Sequence, residues 1–361
     1  MATLEPIPST QKAYVLSEPG GSLKFVTDHP VPSVSSLAPG QCLIKVLYSG
    51  VCSTDLSVRE NAFAAFGLSR PNIVGGHEGV GIVVAIAEHT KSDAVKLGDR
   101  VGIKWIAESC GLCELCLKGL ETLCHKHKSS GATVDGTFCE YTVSYVDWLT
   151  LIPEKLPSPD AAGFMCAGVT AYASLLQCNC HIGDWIAISG AGGGLGHLAI
   201  QYAVVMGLNV IAIDSGSEKR ELCLSLGAHS FVDFRTSSDI ASDVRIAAEG
   251  AGVHSALIYA GGNDAYAQAA AYLRSNGCLV AVGIPKGEIL SLPVVLLVAR
   301  GLVIKGIMAG NRQHAIEAIN LAASGKIICR FTYRGLSELE KVYDEMSKGQ
   351  ITGRIILDIS K

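Results

Sequence analysis

Four cysteines crowd into fifteen residues as Cys110-x2-Cys113-x2-Cys116-x7-Cys124. Thiolates at that density suit a tetrahedral metal, and four of them leave no coordination position open. The expected chemistry is structural: a zinc ion closing a short lobe. A bacterial iron–sulfur run places three residues before its fourth cysteine and a proline after it. Here the gap is seven and His125 follows, which favours zinc. A second set is dispersed: Cys52 in GVCSTD, His77-Glu78 in GGHEGVG and Cys166 in FMCAGVT. Each has a plain reading, as a buried small thiol, a turn histidine or a helix-packing residue, and the residues alone leave ligation open. Together, two thiolates and one imidazole would leave a fourth position free for catalysis. Asp55 and Glu78 would then orient the ligands, and Glu78 could also bind the metal transiently.

A third candidate is the run Trp185–Gly196, WIAISGAGGGLG, which leads from an apolar strand through a glycine turn into HLAIQYAVVMG. Such a turn lets the backbone approach a pyrophosphate, with helix N–H groups facing the anion. The spacing is one residue longer than a simple G-x-G-x-x-G, with Ala191 where a first glycine could be, so the cradle is assigned to Gly193, Gly194 and Leu195. Eighteen residues past Gly196 the next strand ends in Asp214. A carboxylate there bonds the ribose hydroxyls and repels a 2′-phosphate, favouring NAD over NADP.

Elements must hold these groups in place. The first third alternates short β-rich runs (Gln41–Tyr48, Gly79–Ala87, Asp99–Trp105) with Gly and Pro turns, as in a twisted antiparallel, partly barrel-like domain. From about residue 168, strand-like runs at Trp185–Ser189, Asn209–Asp214, Ser230–Phe234, Ser255–Ala260, Cys278–Gly283 and Leu302–Ile307 alternate with helical stretches. Those helices are Leu195–Met206, Glu218–Leu226, Ser238–Ala248 and Ala265–Arg274, and the alternation reads as a doubly wound parallel sheet. The tail adds a helix pattern at Ser337–Met346 and a strand at Arg354–Ile359.

The 361 residues suggest two domains, and 29 Lys+Arg against 33 Asp+Glu give a net charge of −4. Without basic blocks there is no footprint for nucleic acid or anionic membranes. No apolar stretch approaches the ~20 residues of a membrane span, and Met1–Tyr14 does not read as a leader. The thirteen cysteines are therefore expected to be reduced thiols or metal ligands in a cytoplasmic protein.

GVCSTDL, VGGHEGVG, GDRVGIKW, the four-cysteine lobe, CAGVTAY, WIAISGAGGGLGHLAIQYA, VIAID and GQITGR occur in this order. From about Ala13 to the last residue the chain resembles the zinc-dependent medium-chain alcohol dehydrogenases, most closely the yeast and fungal branch. The resemblance implies an α/β fold: a GroES-like, mostly-β catalytic domain (residues 1–167, zinc lobe 105–130), a doubly wound Rossmann coenzyme domain (168–308) and a return to the catalytic domain (309–361). It implies a catalytic zinc on Cys52, His77 and Cys166 with Glu78 as alternate ligand, the donor set by which alcohol dehydrogenase exemplifies such sites. It also implies a structural zinc on Cys110, Cys113, Cys116 and Cys124, so two zinc ions per chain. By the same resemblance, Thr54 would receive the substrate proton. Coenzyme contacts fall on Thr54, Thr170, Gly193, Gly194, Leu195, Asp214, Lys219, Phe234, Val282, Ile284, Ile307, Ala309 and Arg354, the last reaching the pyrophosphate.

The activity so implied is reversible hydride transfer between an alcohol or carbonyl substrate and NAD(H), in a homodimer or homotetramer. Two positions depart from the family: Ser53 stands where a basic residue is common, and Ser57 where a histidine often ends the proton relay. The loop Val58–Pro71 is about two residues longer than in yeast-type enzymes and lacks their tryptophans. Trp105, Phe63 and Phe66 are candidate pocket walls. The altered loop keeps a second reading open, a reductase or dehydrogenase of a bulkier aldehyde, ketone or imine.

Overall fold

The computed structural model describes residues 6–261, 264–285 and 289–361. It divides into two compact units, Met1–Cys166 with Asn311–Ala323 and Phe331–Lys361, and Ala167–Gly310 with Ser324–Arg330. The return toward the first unit, expected from residue 309 onward, is thus interrupted by Ser324–Arg330.

In the first unit β1 (Thr10–Leu16) pairs antiparallel with β2 (Leu23–Pro30). The long β3 (Gln41–Val51) runs directly into α1 (Ser53–Arg59). Next come β4 (Ile73–Val74), β5 (Gly79–Ile86) and β6 (Arg100–Ile103). The strands β7 (Ile106–Glu108) and β8 (Lys128–Ser129) bracket the cysteine lobe and its short α2 (Glu114–Leu117). β9 (Tyr141–Tyr145), β10 (Thr150–Leu151) and α3 (Ser158–Ala162) complete the leading part.

The second unit opens with α4 (Val169–Leu176), then β11 (Trp185–Ser189), α5 (Gly196–Val205), β12 (Asn209–Asp214) and α6 (Ser217–Ser225). It continues through β13 (Ser230–Asp233), α7 (Ile240–Ala247), β14 (Val253–Ile258), α8 (Ala265–Tyr272), β15 (Leu273–Ala281), α9 (Val294–Arg300) and β16 (Val303–Gly306). Its sheet is fully parallel, in the order β13-β12-β11-β14-β15-β16. Helices cover both faces, so central strands are apolar throughout rather than alternating: Ile186, Ala187 and Ile188 are all inaccessible to solvent. The helix expected to reach Arg274 stops at Tyr272. Leu273 is extended, pairs with Val253 and begins β15.

The chain then adds α10 (Arg312–Ala323), β17 (Phe331–Gly335), α11 (Leu339–Ser347) and β18 (Arg354–Asp358) to the first unit. Its main sheet has the order β10-β6-β5-β3-β18-β17, with β9 also on β3. Cys42, Ile44, Val83, Val101, Ile103 and Val146 form one apolar cluster under it. Each fully buried Ile or Val there stabilises by about 1.5–3 kcal/mol. Register is what matters for function. Ser49 opposes Gly79 across β3 and β5, and Val51 opposes Ile355 across β3 and β18. The residues just past these pairs, Cys52, Glu78 and Arg354, are therefore delivered to one sheet end. Among the described residues, no helix is long and apolar enough to cross a membrane.

Candidate active site and metal centres

Cys52 caps the start of α1, His77 and Glu78 immediately precede β5, and Cys166 lies in a π-helical turn, Phe164–Gly168. Such turns interrupt helices frequently at functional sites. The ligand atoms of Cys52, His77, Glu78 and Cys166 all lie within 4.8 Å of one another. Asp55 ties two of these residues together: Oδ2 accepts the Cys52 N–H at 2.9 Å, and Oδ1 lies 2.7 Å from His77 Nδ1. That contact leaves His77 Nε2 facing the cluster, buried and without a hydrogen-bond partner. Trp105, itself buried, meets the His77 ring edge-on at 5.1 Å between centroids.

Glu78 is wholly buried and ion-pairs with the buried Arg354 through one oxygen, while Oε2 has no partner. The close approach of β3 demands glycine: a Cβ on Gly50 would stand 2.5 Å from Glu78 Oε2. Burial pushes the Glu78 carboxyl up to about 7, with Arg354 opposing. Hydrogen bonding to Cys166 holds the Cys52 thiol well below the usual thiol range, and the same contact, with burial, holds Cys166 well above it. Burial alone would lower His77, yet Asp55 and Cys52 keep it well above the ordinary imidazole range. A buried imidazole nitrogen without a partner, gathered with two thiols and a carboxylate, forms a donor set suited to a borderline-soft dication.

In the lobe, the sulfurs of Cys113 and Cys116 lie 3.5 Å apart, Cys124 and Cys110 3.6 Å, Cys113 and Cys124 3.8 Å, and Cys110 and Cys116 3.9 Å. A zinc tetrahedron with Zn–S of about 2.3 Å has sulfur–sulfur edges of about 3.8 Å. None of the four is in a disulfide. Backbone N–H groups of Leu112 and Cys113 bring the Cys110 thiol down to about 6, which favours the thiolate. The residues fit the metal.

In the second unit, β11 is followed by Gly190, whose φ of 77° is left-handed. A Cβ on Gly196 would lie 2.2 Å from the Gly190 carbonyl, so only glycine lets α5 start this close to the turn. Asp214, buried at the end of β12, accepts N–H bonds from Gly192 and Ser215, both at 2.9 Å, and Lys219 reaches it at 3.1 Å. The carboxylate thus braces the glycine turn. Gly193, Gly194 and Leu195 are part-exposed at the mouth of the turn, Thr170 is buried in α4, and Phe234 and Ile284 are exposed. Val282, Ile307 and Ala309 follow the ends of β15 and β16 and are part-exposed. Thr54 and Ser57 are half-buried in α1 and Ser53 is exposed. Of the candidate walls, Trp105 is buried, Phe63 half-buried and Phe66 77% exposed.

Residues 38–154 match the alcohol dehydrogenase GroES-like domain, and residues 194–324 match the zinc-binding dehydrogenase domain. Alcohol dehydrogenase 1 of Emericella nidulans is 42% identical over 98% of this chain and 99% of its own length. The chain belongs to the zinc-dependent alcohol dehydrogenases. It is related to the fungal members and is an oxidoreductase of small-molecule alcohols or carbonyls. The alcohol dehydrogenase of Aeropyrum pernix superposes with a TM-score of 0.87 at 28% identity, covering 96% of this chain and 99% of that one. Acetophenone reductase of Geotrichum candidum, solved in complex with NAD, gives 0.86 at 26% identity over 98% of each chain.

Sequence reasoning passed over Lys104 in GDRVGIKW. Its ammonium is buried and donates to the Trp148 carbonyl at 2.6 Å and the Thr150 hydroxyl at 2.8 Å. Burial, with Arg312 nearby, pulls its pKa down to about 7. A folded-state pKa below the unfolded value of about 10.4 means that the unfolded chain binds more protons between these limits. The Lys104 contribution therefore improves as pH rises from about 7, and its cost is fully present below that. Lys104→Met, which keeps the stem and removes the titration, should lie closest to the parent in Tm near pH 6 if the hydrogen bonds are worth little more than the burial cost. As pH rises toward 9.5 the parent should gain steadily on the variant. A difference in Tm that does not change with pH would refute the assignment.

Proposed function

We propose that the enzyme catalyses reversible hydride transfer between an alcohol or carbonyl substrate and NAD(H). Cys52, His77 and Cys166 would hold the catalytic zinc with Glu78 as alternate ligand, and the four lobe cysteines would hold the structural one. The observation that carries this is the buried, unpartnered His77 Nε2 gathered with two sulfurs and a carboxylate within 4.8 Å. A bound zinc supplies Lewis acidity, easing deprotonation of an alcohol and polarising a carbonyl. The coenzyme supplies hydride chemistry, while protein groups orient the reactants.

The chain's own residues do the rest. Asp55 fixes the tautomer and angle of His77 through its 2.7 Å contact. Arg354 holds Glu78 by one oxygen, and we assign it also to the coenzyme pyrophosphate, since Ser53 offers no charge there. Gly193, Gly194, Leu195, Asp214 and Lys219 are assigned to the coenzyme, with Thr170, Phe234, Val282, Ile284, Ile307 and Ala309. Asp214, already buried and hydrogen-bonded, supports NAD over NADP. The Thr54 hydroxyl takes the substrate proton. Ser57 stands one helical turn on, on the same face of α1, and passes the proton to water.

Serine cannot hold a proton near neutral pH, whereas a histidine with a pKa near 6.5 can. Ser57→His should therefore raise alcohol oxidation most at pH 6–7.5 and converge with the parent at high pH. The gain should be about tenfold or less, since a base at the far end of a relay contributes less than the usual 10²–10⁴. Parallel pH–rate profiles would remove Ser57 from the relay.

NADH turnover across alcohols and aldehydes of graded size tests the overall reading; absence of turnover with every member would sink it. The longer loop Val58–Pro71 supports the alternative of bulkier aldehydes, ketones or imines, which the large end of that panel resolves. We further propose a cytoplasmic homodimer or homotetramer without nucleic-acid or membrane partners. Exposed Val294, Val295 and Val298 on α9, and Val303 and Ile304 on the edge strand β16, support assembly.

A further inference from the structure

The pair His77-Glu78 has glycine on both sides, Gly75 and Gly76 before it and Gly79 after. Glycine restrains the backbone less than any other residue, so the chain itself does not fix where these two side chains stand. A neighbouring segment does. Gly136, Thr137 and Phe138 donate three successive N–H bonds to the carbonyls of Val74, Gly76 and Gly75, at 2.8, 3.1 and 2.9 Å. Thr137 is inaccessible to solvent and reaches both flanks with one side chain. A Cβ on Gly76, whose φ of 91° is left-handed, would stand 2.6 Å from Thr137 Oγ1, and one on Gly79 would stand 2.5 Å from Thr137 Cγ2. The Thr137 hydroxyl is held in turn by Ser49 Oγ at 2.7 Å. Ser49 opposes Gly79 across β3 and β5, and its own proton is directed to the Gly50 carbonyl at 3.2 Å, so Thr137 is the donor of that pair. The Gly50 N–H closes the clamp on the Glu78 carbonyl at 3.0 Å.

We propose that Thr137 is a positioning residue of the metal centre, gripping the backbone on either side of His77-Glu78 and so setting where the imidazole Nε2 and the carboxylate stand. This rests on the reading of Cys52, His77 and Cys166 as metal ligands. Asp55 fixes the angle of the imidazole ring, whereas Thr137 fixes the main chain that carries it. Both are needed, because a ligand set works only when its donors are held to within about 0.5 Å. The two ends of the Thr137 side chain have separate tasks. The methyl packs against Gly79, where β5 begins. The hydroxyl ties the segment to β3, the strand that runs on into Cys52. One hydrogen bond thus links the imidazole half of the donor set to a thiol half that lies 25 residues earlier in the chain.

Thr137→Val keeps the shape of the side chain and removes the hydroxyl, whereas Thr137→Ser keeps the hydroxyl. The test dialyses the zinc-loaded enzymes against graded concentrations of a chelator and measures zinc per chain. Alkylation of Cys52 and Cys166 is mapped by mass spectrometry beside that of the four lobe cysteines. Thr137→Val should weaken zinc binding at Cys52 and Cys166 by about tenfold, the low end for residues that support ligands, and leave the lobe's affinity unchanged. Thr137→Ser should restore most of that loss. Ser49→Ala cuts the same hydrogen bond from β3, should weaken the same site, and carries the test if Thr137→Val does not fold. A fall in Tm with unchanged zinc affinity at both sites would make Thr137 a packing residue and overturn the proposal. A parent enzyme whose Cys52 and Cys166 hold no zinc would instead overturn the ligand reading itself, and the proposal with it.

Discussion

Cys166→Ser is expected to lower kcat/KM by at least ~10³-fold, the loss of a Lewis-acid contribution of several kcal/mol. It should also cut the metal content from two ions per chain to one. Serine is nearly isosteric but does not deprotonate to a soft donor, so His77 and Cys52 would be left to hold the ion alone. The retained ion should be the one in the lobe, whose four sulfurs form a separate group. Cys113→Ser is the counterpart. It should release the lobe ion, lower Tm and open residues 105–130 to protease, because metal binding there is part of the folding free energy. Metal analysis beside steady-state kinetics separates the two variants. Loss of both ions from either one would refute two independent sites.

The second large effect is on coenzyme choice. NAD should exceed NADP in kcat/KM by about 10²-fold or more, because a 2′-phosphate would meet Asp214 and forfeit charge-assisted ribose bonds worth ~1.5–3 kcal/mol. Asp214→Gly should cut kcat/KM for NAD by roughly 10–100-fold. NADP should gain less than a purely repulsive role predicts, since Asp214 also holds the Gly192 and Ser215 N–H groups at 2.9 Å. Removing the carboxylate loosens the turn for either coenzyme. Equal use of NAD and NADP by the parent enzyme would sink the reading.

The lobe was legible because it is local: four cysteines within fifteen residues must be near one another whatever the rest of the chain does. The parallel sheet was legible for a related reason, its apolar strands and helices alternating in a regular rhythm. Cys52, His77 and Cys166 were not, since separations of 25 and 89 residues say nothing of distance. Their meeting depends on the β3–β5 register and on a π-turn, neither of which has a sequence signature. The family resemblance supplied that grouping. The ion pair of Arg354 with Glu78 was missed, because it joins residues 276 apart through the β3–β18 pairing. Lys104 was passed over inside the run Asp99–Trp105, and only the packed structure reveals that it is buried. The helix end at Tyr272 was misplaced because Leu273 has no local breaker, its extended conformation being imposed by pairing with Val253.

The pocket at the end of β3 gathers two thiols, two carboxylates and an imidazole around a single guanidinium. Such a cluster cannot be fully ionised without a cation, so when metal is absent protons must take its place. Loading the site is therefore an exchange, one dication entering as the remaining protons leave its ligands. Affinity for the metal then carries a built-in acid sensitivity, steeper than that of a site with a single thiol.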